Sequence, residues 1–249
     1  MRTMPVKPNQ PPSTSLPAIK VISFDLDDTL WSGTQVLVQA EQAMLSWLAN
    51  HTPSIHQALS KLELRQRKLQ FIKERPHLRY KVSQARLQFL EKLFSDFHYP
   101  HADTLAQQCF AVFYEARQQV TLFPGVKGAL AALQTQVKLI AITNGNADIE
   151  AVGLSDYFEF CLNGEDFPYP KPHGEIFRTA LAQAGVAGHE CLHVGDHPEH
   201  DMLGAKEAGL MTCWLQDGRY PWQHDFTADL TISHVRELLP LFTAQHTTG

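Results

Sequence analysis

Two patterns of apolar residues divide the chain. From Gln35 to about Gln119 the apolar residues recur every three or four positions, in a stretch rich in Leu, Gln, Ala, Glu, Lys and Arg. This spacing predicts amphipathic helices. Prolines interrupt helices, and they occur in this stretch at Pro53, Pro76 and Pro100. The first pattern therefore predicts about four helices that are bounded by prolines.

Short apolar runs alternate with helical segments after Phe123. The apolar runs predict buried strands at residues 137–142, 158–162, 191–194, 211–215 and 230–232. Helices are predicted at residues 126–133, 146–152, 173–184, 199–208 and 235–242. Strands that alternate with helices are typical of a parallel, doubly wound sheet, in which ligands bind beyond the carboxyl ends of the strands.

The helical stretch separates the first strand from the others. That strand is predicted at residues 20–24, so the helices interrupt an α/β domain just after its first strand. Because an insertion at the carboxyl end of a strand lies over the ligand-binding edge, we expect it to form a cap. The sheet domain is predicted at residues 18–33 and 122–249, and the helical cap at residues 34–121. Residues 1–17 are predicted to form a disordered, proline-rich tail. Residues 244–249 are predicted to be frayed.

Composition excludes several classes of protein. The chain has 249 residues, of which 44% are hydrophobic and 19% charged, as in an ordinary globular protein. A net charge of −5 argues against nucleic acid or an anionic membrane as the main partner, and no apolar run is long enough for a transmembrane helix. The four cysteines contain no Cys-x-x-Cys and no signal peptide is recognisable, so we expect reduced thiols in the cytoplasm. The expected partner is a small molecule, and the expected state is a monomer or weak homodimer.

Candidate chemistry begins where the first strand ends. Asp25 and Asp27 directly follow the buried apolar run, and burying two carboxylates is costly unless a cation compensates for them. A divalent metal prefers such hard oxygen ligands and would serve chemistry at a phosphate. The simpler interpretation is a strand end followed by a carboxylate-rich turn.

Polar residues also lie at the ends of later elements. Thr143 ends one apolar strand, and Lys171 lies between two prolines just before a helix. Asp196 follows another strand, and Asp201 comes five residues later. Taken singly, these are ordinary turn or capping residues, solvated loop charges or helix-terminus acids. Their joint occurrence at strand ends favours one shared site.

This set of motifs resembles the haloacid dehalogenase (HAD) superfamily. The four motifs are Asp25-Leu26-Asp27-Asp28-Thr29, Thr143, Lys171, and Gly195-Asp196 followed by Asp201. The resemblance extends from Ile19 to about Phe242. It implies an α/β fold with a Rossmann-like doubly wound parallel sheet, and a helical insertion between the first two motifs is the C1 cap type of the superfamily.

The resemblance implies catalytic roles for four residues. Asp25 is the nucleophile that forms an aspartyl-phosphate, and Asp27 is the general acid and then the general base. Thr143 binds the phosphoryl group, and Lys171 holds the charges of nucleophile and phosphoryl group in register. A carboxylate that attacks a phosphate dianion is repelled by it, and Mg²⁺ together with Lys171 offsets that repulsion.

The resemblance also implies Mg²⁺ as the cofactor. Its ligands are Asp25, Asp196 and the backbone carbonyl of Asp27, while Asp201 supports the metal site or Lys171. We do not expect the neighbouring histidines to bind a transition metal, because the surrounding ligands are hard oxygens.

Asp27 separates the reaction classes of the superfamily. Dehalogenases lack an acid two residues after the nucleophile, so its presence favours phosphoryl chemistry, and the fourth motif favours hydrolysis over transfer by a mutase. The prediction is a Mg²⁺-dependent phosphomonoester hydrolase for a small phosphorylated metabolite. The alternatives are a sugar-phosphate or nucleotide phosphatase, a phosphomutase, a haloacid dehalogenase, or a binding module without catalytic activity.

Three segments carry a closer resemblance. Residues 141–147, 153–160 and 192–196 are similar to a bacterial HAD phosphatase group. That group acts on flavin mononucleotide and on 5-amino-6-(5-phospho-D-ribitylamino)uracil, which the similarity implies as candidate substrates. His197 departs from the superfamily, which usually has a small or acidic residue there, and we expect it to line the pocket.

Three further residues are candidates for contact with the substrate. Asn144 adjoins Thr143 at the predicted strand end. In the predicted cap, Arg79 and Arg86 are candidates for binding the substrate phosphate or its polar body. The simpler interpretation of the two arginines is a solvated helical face.

Overall fold

A computed structural model describes residues 18–243, with a parallel sheet at its centre. The strands are β1 Val21–Phe24, β2 Lys138–Thr143, β3 Cys161–Asn163, β4 Cys191–Gly195, β5 Met211–Leu215 and β6 Leu230–Ile232. Their order across the sheet is β3-β2-β1-β4-β5-β6, and neighbouring strands pair in parallel. The predicted α/β class with a doubly wound parallel sheet is confirmed. The predicted tail at 1–17 and frayed end at 244–249 lie outside the described residues.

The central strand brings the predicted motif residues to one edge of the sheet. All four residues of β1 are buried, as in a parallel strand covered on both faces. Phe24 at its end lies opposite Ala141 of β2 and Val194 of β4. The residues that follow these three positions therefore leave the sheet at the same carboxyl edge.

The helices of the sheet domain agree with the pattern in part. They are α6 Val126–Leu133, α7 Gly174–Ala184, α8 Gly204–Glu207 and α9 Leu239–Thr243, with a 3-10 turn at Val235–Leu238 before α9. The helix predicted at 199–208 is instead a π-helical turn, Pro198–Leu203, followed by α8. The single helix predicted at 235–242 is likewise divided between the 3-10 turn and α9.

Two predictions between β2 and β3 are wrong in detail. Residues 146–148 have no regular structure, and residues 149–153 form only turns, which Asp148 caps by accepting from Glu150 N (2.8 Å) and Ala151 N (3.4 Å) and which end at Gly153 with a φ of +73°. The strand predicted at 158–162 begins only at Cys161. The preceding residues still bond to β2, since Phe160 O accepts from Ala141 N at 3.0 Å.

Five α-helices lie between β1 and β2. They are α1 Gly33–His51, α2 Pro53–Ala58, α3 Lys61–Lys73, α4 Val82–Asp96 and α5 Ala102–Arg117, with a 3-10 turn at Pro76–Leu78. Four helices were expected, and the additional break lies at Leu59–Ser60, where no proline marks it. Ser60 and Glu63 form a capping box there, which starts α3.

The inserted helices have an apolar core of their own. Leu48, Phe71, Leu90 and Phe94 belong to a buried cluster separate from the two clusters that cover the faces of the sheet. The chain leaves and re-enters the sheet side by side, because Phe123 N donates to Leu30 O at 2.8 Å. We therefore propose that the insertion is a cap domain with bounds near the predicted 34–121. None of the helices in residues 18–243 is both long and apolar enough to cross a membrane.

Candidate active site

A pocket of about 220 Å³ lies at the carboxyl edge of the sheet. Its lining combines residues that follow β1, β2 and β4 with residues of the segments before α7 and after β5: Asp25, Asp27, Asp28, Thr143, Asn144, Gly145, Lys171, Asp196, His197, His200, Asp201 and Tyr220. All seven residues predicted from the strand ends and motifs therefore meet in this pocket.

Lys171 is the central cation of the pocket. Its side chain is buried, and its Nζ donates to Asp25 Oδ1 at 2.7 Å, to Asp201 Oδ1 at 2.6 Å and to Ile142 O at 2.7 Å. These three acceptors match the three protons of an ammonium group. Burial opposes the charge, but Asp201 and Asp25 outweigh it and raise the pKa of Lys171. Lys171 is therefore positively charged and fixed.

Asn144 holds the backbone of Lys171. Its Nδ2 donates to Lys171 O and its Oδ1 accepts from Lys171 N, both at 2.9 Å. Because both ends of the amide are used in this way, the side chain orders the lysine loop. The predicted contact of Asn144 with the substrate stays a prediction, although the residue lines the pocket.

Three carboxylates form an acidic cluster beside Lys171. Oxygen atoms of Asp25, Asp196 and Asp201 all lie within 4.8 Å of one another, and all three residues are buried. Burial, with Asp201 nearby, raises the pKa of Asp196 to about 7. Burial also raises the pKa of Asp25, against the attraction of Lys171. Burial and, to a smaller extent, the neighbouring carboxylates therefore disfavour the ionised forms of Asp25 and Asp196.

Asp201 differs from the other two acids because its partners hold it ionised. Burial alone would raise its pKa, but Lys171 and a hydrogen bond from His193 outweigh burial and lower the pKa of Asp201. Its Oδ1 contacts Lys171 and His193, and its Oδ2 accepts from His197 N at 3.0 Å. Both oxygens thus serve to order the site.

Asp27 lies apart from the acidic cluster. Trp31 Nε1 donates to its Oδ1 at 2.9 Å, and Arg117 Nη2 donates to its Oδ2 at 2.5 Å. Burial raises the pKa of Asp27, against the attraction of Arg117. The carboxylate is therefore oriented by two donors and takes no part in the group of oxygens that can hold a metal.

Thr143 and Gly145 shape the floor of the pocket next to Asp27. Thr143 is buried at the end of β2, and its Oγ1 accepts from Gly145 N at 3.0 Å. A Cβ atom at Gly145 would lie 2.5 Å from Asp27 Oδ2, so a larger residue would displace that carboxylate. This close approach explains the glycine in the Thr-Asn-Gly sequence.

His193 is a buried partner of Asp201 that the sequence reasoning did not assign. Its Nε2 lies 3.2 Å from Asp201 Oδ1, and its Nδ1 lies 2.8 Å from Ser23 Oγ. An ionised carboxylate only accepts, so Nε2 carries the proton and Nδ1 accepts from the serine. Burial lowers the pKa of His193, which keeps the ring neutral. All five residues of β4 are buried, and nothing in the local sequence distinguished His193 for this role.

Arg219 is a second residue that the sequence reasoning missed. It lies after β5, where its Nη1 is 2.5 Å from Asp28 Oδ1 and its Nη2 is 3.4 Å from Asp196 Oδ2. Next to it, Tyr220 packs on His197, with ring centroids 4.3 Å apart, as expected for a histidine that lines the pocket. The segment after β5 thus supplies part of the pocket rim.

The two cap arginines do not line this pocket. Arg86 lies with its guanidinium 3.5 Å from the ring centroid of Phe113, inside the helical insertion, and burial lowers its pKa to about 10. Arg79 lies over Tyr80, 5.3 Å from the ring centroid. Neither contact brings an arginine to Asp25 or Lys171, so their assignment to the substrate stays a prediction.

Comparisons with known proteins agree with this geometry. The chain is 30% identical over 230 residues to the 5-amino-6-(5-phospho-D-ribitylamino)uracil phosphatase YigB of Escherichia coli, covering 90% of this chain and 96% of that one. It is 31% identical over 139 residues to the phosphoserine phosphatase of Thermus thermophilus, covering 53% and 56%. A crystal structure of a 2-haloacid dehalogenase from Pseudomonas syringae superposes with a TM-score of 0.85 at 35% identity, covering 91% and 99%.

The family assignment follows from both length and site. Residues 19–209 match the family model described as haloacid dehalogenase-like hydrolase, and this span includes the pocket residues from Asp25 to Asp201. The similarity to the Escherichia coli phosphatase extends over nearly its whole length. The chain belongs to the haloacid dehalogenase-like hydrolase family.

Proposed function

We propose that this hydrolase is a Mg²⁺-dependent phosphomonoester hydrolase that acts through an aspartyl-phosphate on a small phosphorylated metabolite. One observation supports it above all others. Asp25 lies against the fixed cation Lys171 and within the acidic cluster, while the Asp27 carboxylate is oriented separately on the same turn. The site thus has a nucleophile, positive charge for a phosphate and a second carboxyl group for proton transfer.

The reaction needs two steps. In the first, an Asp25 oxygen forms a bond to phosphorus while the bond from phosphorus to the alcohol oxygen breaks, and Asp27 gives its proton to that oxygen. In the second, water attacks the phosphorus of the aspartyl-phosphate, Asp27 takes a proton from the water, and phosphate leaves. Lys171 balances the negative charge in both steps, and the Thr143 hydroxyl binds a phosphoryl oxygen.

The acidic cluster fits a hard divalent cation. Three buried carboxylates lie within 4.8 Å of one another, and the pKa values of Asp25 and Asp196 are both raised. Asp25 and Asp196 would hold Mg²⁺ together with the Asp27 backbone carbonyl, and Asp201 would orient the site. When bound, the metal would polarise the phosphoryl group and reduce its repulsion from Asp25.

A dehalogenase is the rival activity, because a similar structure carries that name. Halide leaves without a proton and without a metal, so that reaction has no use for the oriented Asp27 or for a metal held by Asp25 and Asp196. Both features favour the phosphatase. A mutase and a binding module without activity remain alternatives that the experiment below also tests.

For the substrate we propose the class named by the relatives, a small metabolite with one phosphate ester. The first candidates are 5-amino-6-(5-phospho-D-ribitylamino)uracil and flavin mononucleotide, followed by sugar phosphates and nucleotides. The four cysteines are free thiols, which supports the proposed cytoplasmic location.

Phosphate release from a panel of these metabolites tests the proposal. We expect turnover that EDTA abolishes and Mg²⁺ restores, and that Asp25→Asn lowers by more than about 1,000-fold. Asp156→Asn is the matched control, because Asp156 is exposed at the opposite edge of the sheet. Halide release from 2-chloropropionate without Mg²⁺ would support a dehalogenase. A requirement for a bisphosphate activator would support a mutase, and the absence of turnover on every substrate would support a binding module.

A further inference from the structure

The Asp27 carboxylate joins the two segments that connect the sheet to the inserted helices. Trp31 lies on the segment that leads from β1 to α1, and its Nε1 donates to Asp27 Oδ1. Arg117 is the last residue of α5, from which the chain returns, and its Nη2 donates to Asp27 Oδ2. Trp31 also forms a backbone bridge to Leu122 on the returning segment. One carboxylate is thus bonded to both connections.

Arg117 is unusual because it is buried with few partners for its charged guanidinium group. Its side chain is 1% exposed, and Asp27 is its ion-pair partner in the described residues. Its Nε and Nη1 are buried without a hydrogen-bond partner among those residues. Leaving buried charged donors without partners is unfavourable, and an apolar side chain would fill the same space without that disadvantage. Packing therefore does not explain an arginine here, and its ion pair with the Asp27 carboxylate does.

We propose that Arg117 is a positioning residue that holds the Asp27 carboxyl group in the orientation for proton transfer and ties this orientation to the end of the cap helix α5. The inference rests on the proposed function, in which Asp27 exchanges protons with the leaving alcohol and with water. Arg117 does not line the pocket, so it is not placed to contact the substrate directly. It acts through Asp27, together with Trp31.

The leaving group reveals such a role. An alkyl phosphate releases a strongly basic alkoxide, which must receive the Asp27 proton as its bond to phosphorus breaks. p-Nitrophenyl phosphate releases a weakly basic phenolate that leaves without that proton. A misplaced Asp27 should therefore slow the first step for alkyl phosphates and leave it almost unchanged for the aryl phosphate. The ratio kcat/KM reports the first step, formation of the aspartyl-phosphate, because hydrolysis of that intermediate comes later and does not enter the ratio.

The experiment compares Arg117→Met with the wild type in the full chain at saturating Mg²⁺. The two substrates are p-nitrophenyl phosphate and the best alkyl phosphate of the metabolite panel. We expect kcat/KM to fall by about 100-fold for the alkyl phosphate and by less than about threefold for the aryl phosphate. Arg117→Lys keeps a cationic donor at the end of α5 and should recover part of the alkyl rate.

Two controls separate this role from a structural one. Arg75→Met removes another arginine of the insertion, whose guanidinium lies 3.9 Å from the ring centroid of Phe71 and outside the pocket. This variant should leave kcat/KM unchanged for both substrates. Equal losses for both substrates, no loss, or no recovery in a folded Arg117→Lys would overturn the inference. Wild-type turnover in Asp25→Asn would instead overturn the proposed function, and the role of Asp27 with it.

Discussion

At the scale of single residues, the site depends on charges that compensate one another. Lys171 contacts Asp25 and Asp201, and His193 adds a neutral hydrogen bond to Asp201. Each carboxylate is unfavourable in the interior without these partners. The arrangement predicts that removing one partner will affect stability as well as activity.

Lys171→Met should abolish phosphatase activity and lower the free energy of unfolding by about 3–5 kcal/mol, because it leaves two buried carboxylates unpaired. Chemical denaturation in urea measures the stability, and phosphate release measures the activity. Lys138→Met is the control, since Lys138 pairs with Glu159 at an exposed site, and it should change both quantities little. Equal stability of Lys171→Met and the wild type would contradict the compensation described above.

His193 should make folding stability depend on pH. Burial lowers its pKa, so below the unfolded value of about 6.5 the unfolded chain binds a proton that the folded protein does not. The stabilising contribution is therefore complete above that pH and is lost as the pH falls, by at most about 1.4 kcal/mol per pH unit. His193→Gln can still donate to Asp201 but has no titrating ring.

Thermal denaturation between pH 5 and pH 8 measures this effect. We expect the wild type to lose Tm more steeply than His193→Gln as the pH falls, because only the wild type has the additional titrating group. Parallel pH profiles for the two proteins would show that protonation of His193 does not contribute. The other histidines are common to both proteins and cancel in the comparison.

At the scale of elements, local hydrogen bonds decided where helices begin and end. Asp148 caps the turns at residues 149–153, where a longer helix was predicted and where Gly153 ends them, and the capping box of Ser60 and Glu63 starts a separate helix, α3. Both signals are present in the sequence, as an Asp before a turn and as Ser-x-x-Glu. The spacing of apolar residues does not reveal these two boundaries, because it continues across them.

Ser60→Ala tests the weight of the capping box. The Ser60 hydroxyl accepts from Glu63 N, and Glu63 Oε2 accepts from Ser60 N at 2.8 Å. Its loss should lower the Tm by about 2–4 °C and leave kcat unchanged, since α3 lies outside the pocket. Ser46→Ala, at an exposed position inside α1, should leave the Tm unchanged or raise it slightly. An equal Tm for Ser60→Ala and Ser46→Ala would argue against a stabilising effect of the capping box.

At the scale of the whole molecule, the inserted helices dock on the segment that leads to Lys171. Lys81 Nζ donates to Glu165 O and, at 2.9 Å, to Phe167 O, just before Lys171. Glu165 Oε2 accepts from Ser83 N at 2.9 Å, which places a carboxylate at the N-terminus of α4. These contacts hold the start of α4 against the segment that leads to Lys171.

Lys81→Met should weaken this docking and so raise KM about three- to tenfold, with kcat within about twofold. Steady-state kinetics with the best substrate of the panel measures both constants. Lys92→Met removes an exposed lysine of α4 that pairs with Asp96 and should leave KM unchanged. An unchanged KM in Lys81→Met would mean that the docking does not contribute to substrate binding.

The alternation of strands and helices and the positions of several candidate site residues could be predicted from the sequence alone. Apolar runs are local signals, and three of the motif residues follow or end one, so Asp25, Thr143 and Asp196 could be placed at strand ends without coordinates. Parallel strands then bring their carboxyl ends together, which predicts one shared site. The family model matches the span that contains these residues.

Which side chains hold those residues in place depends on contacts between distant parts of the chain. Arg117 and Asp27 are 90 positions apart, and Asn144 and Lys171 are 27 apart, so no local period connects them. Their contacts exist because the sheet order and the return of the helical insertion bring distant segments to the same edge. The positions of candidate site residues at strand ends could therefore be predicted from local pattern, whereas their orientation and charge compensation depend on long-range packing.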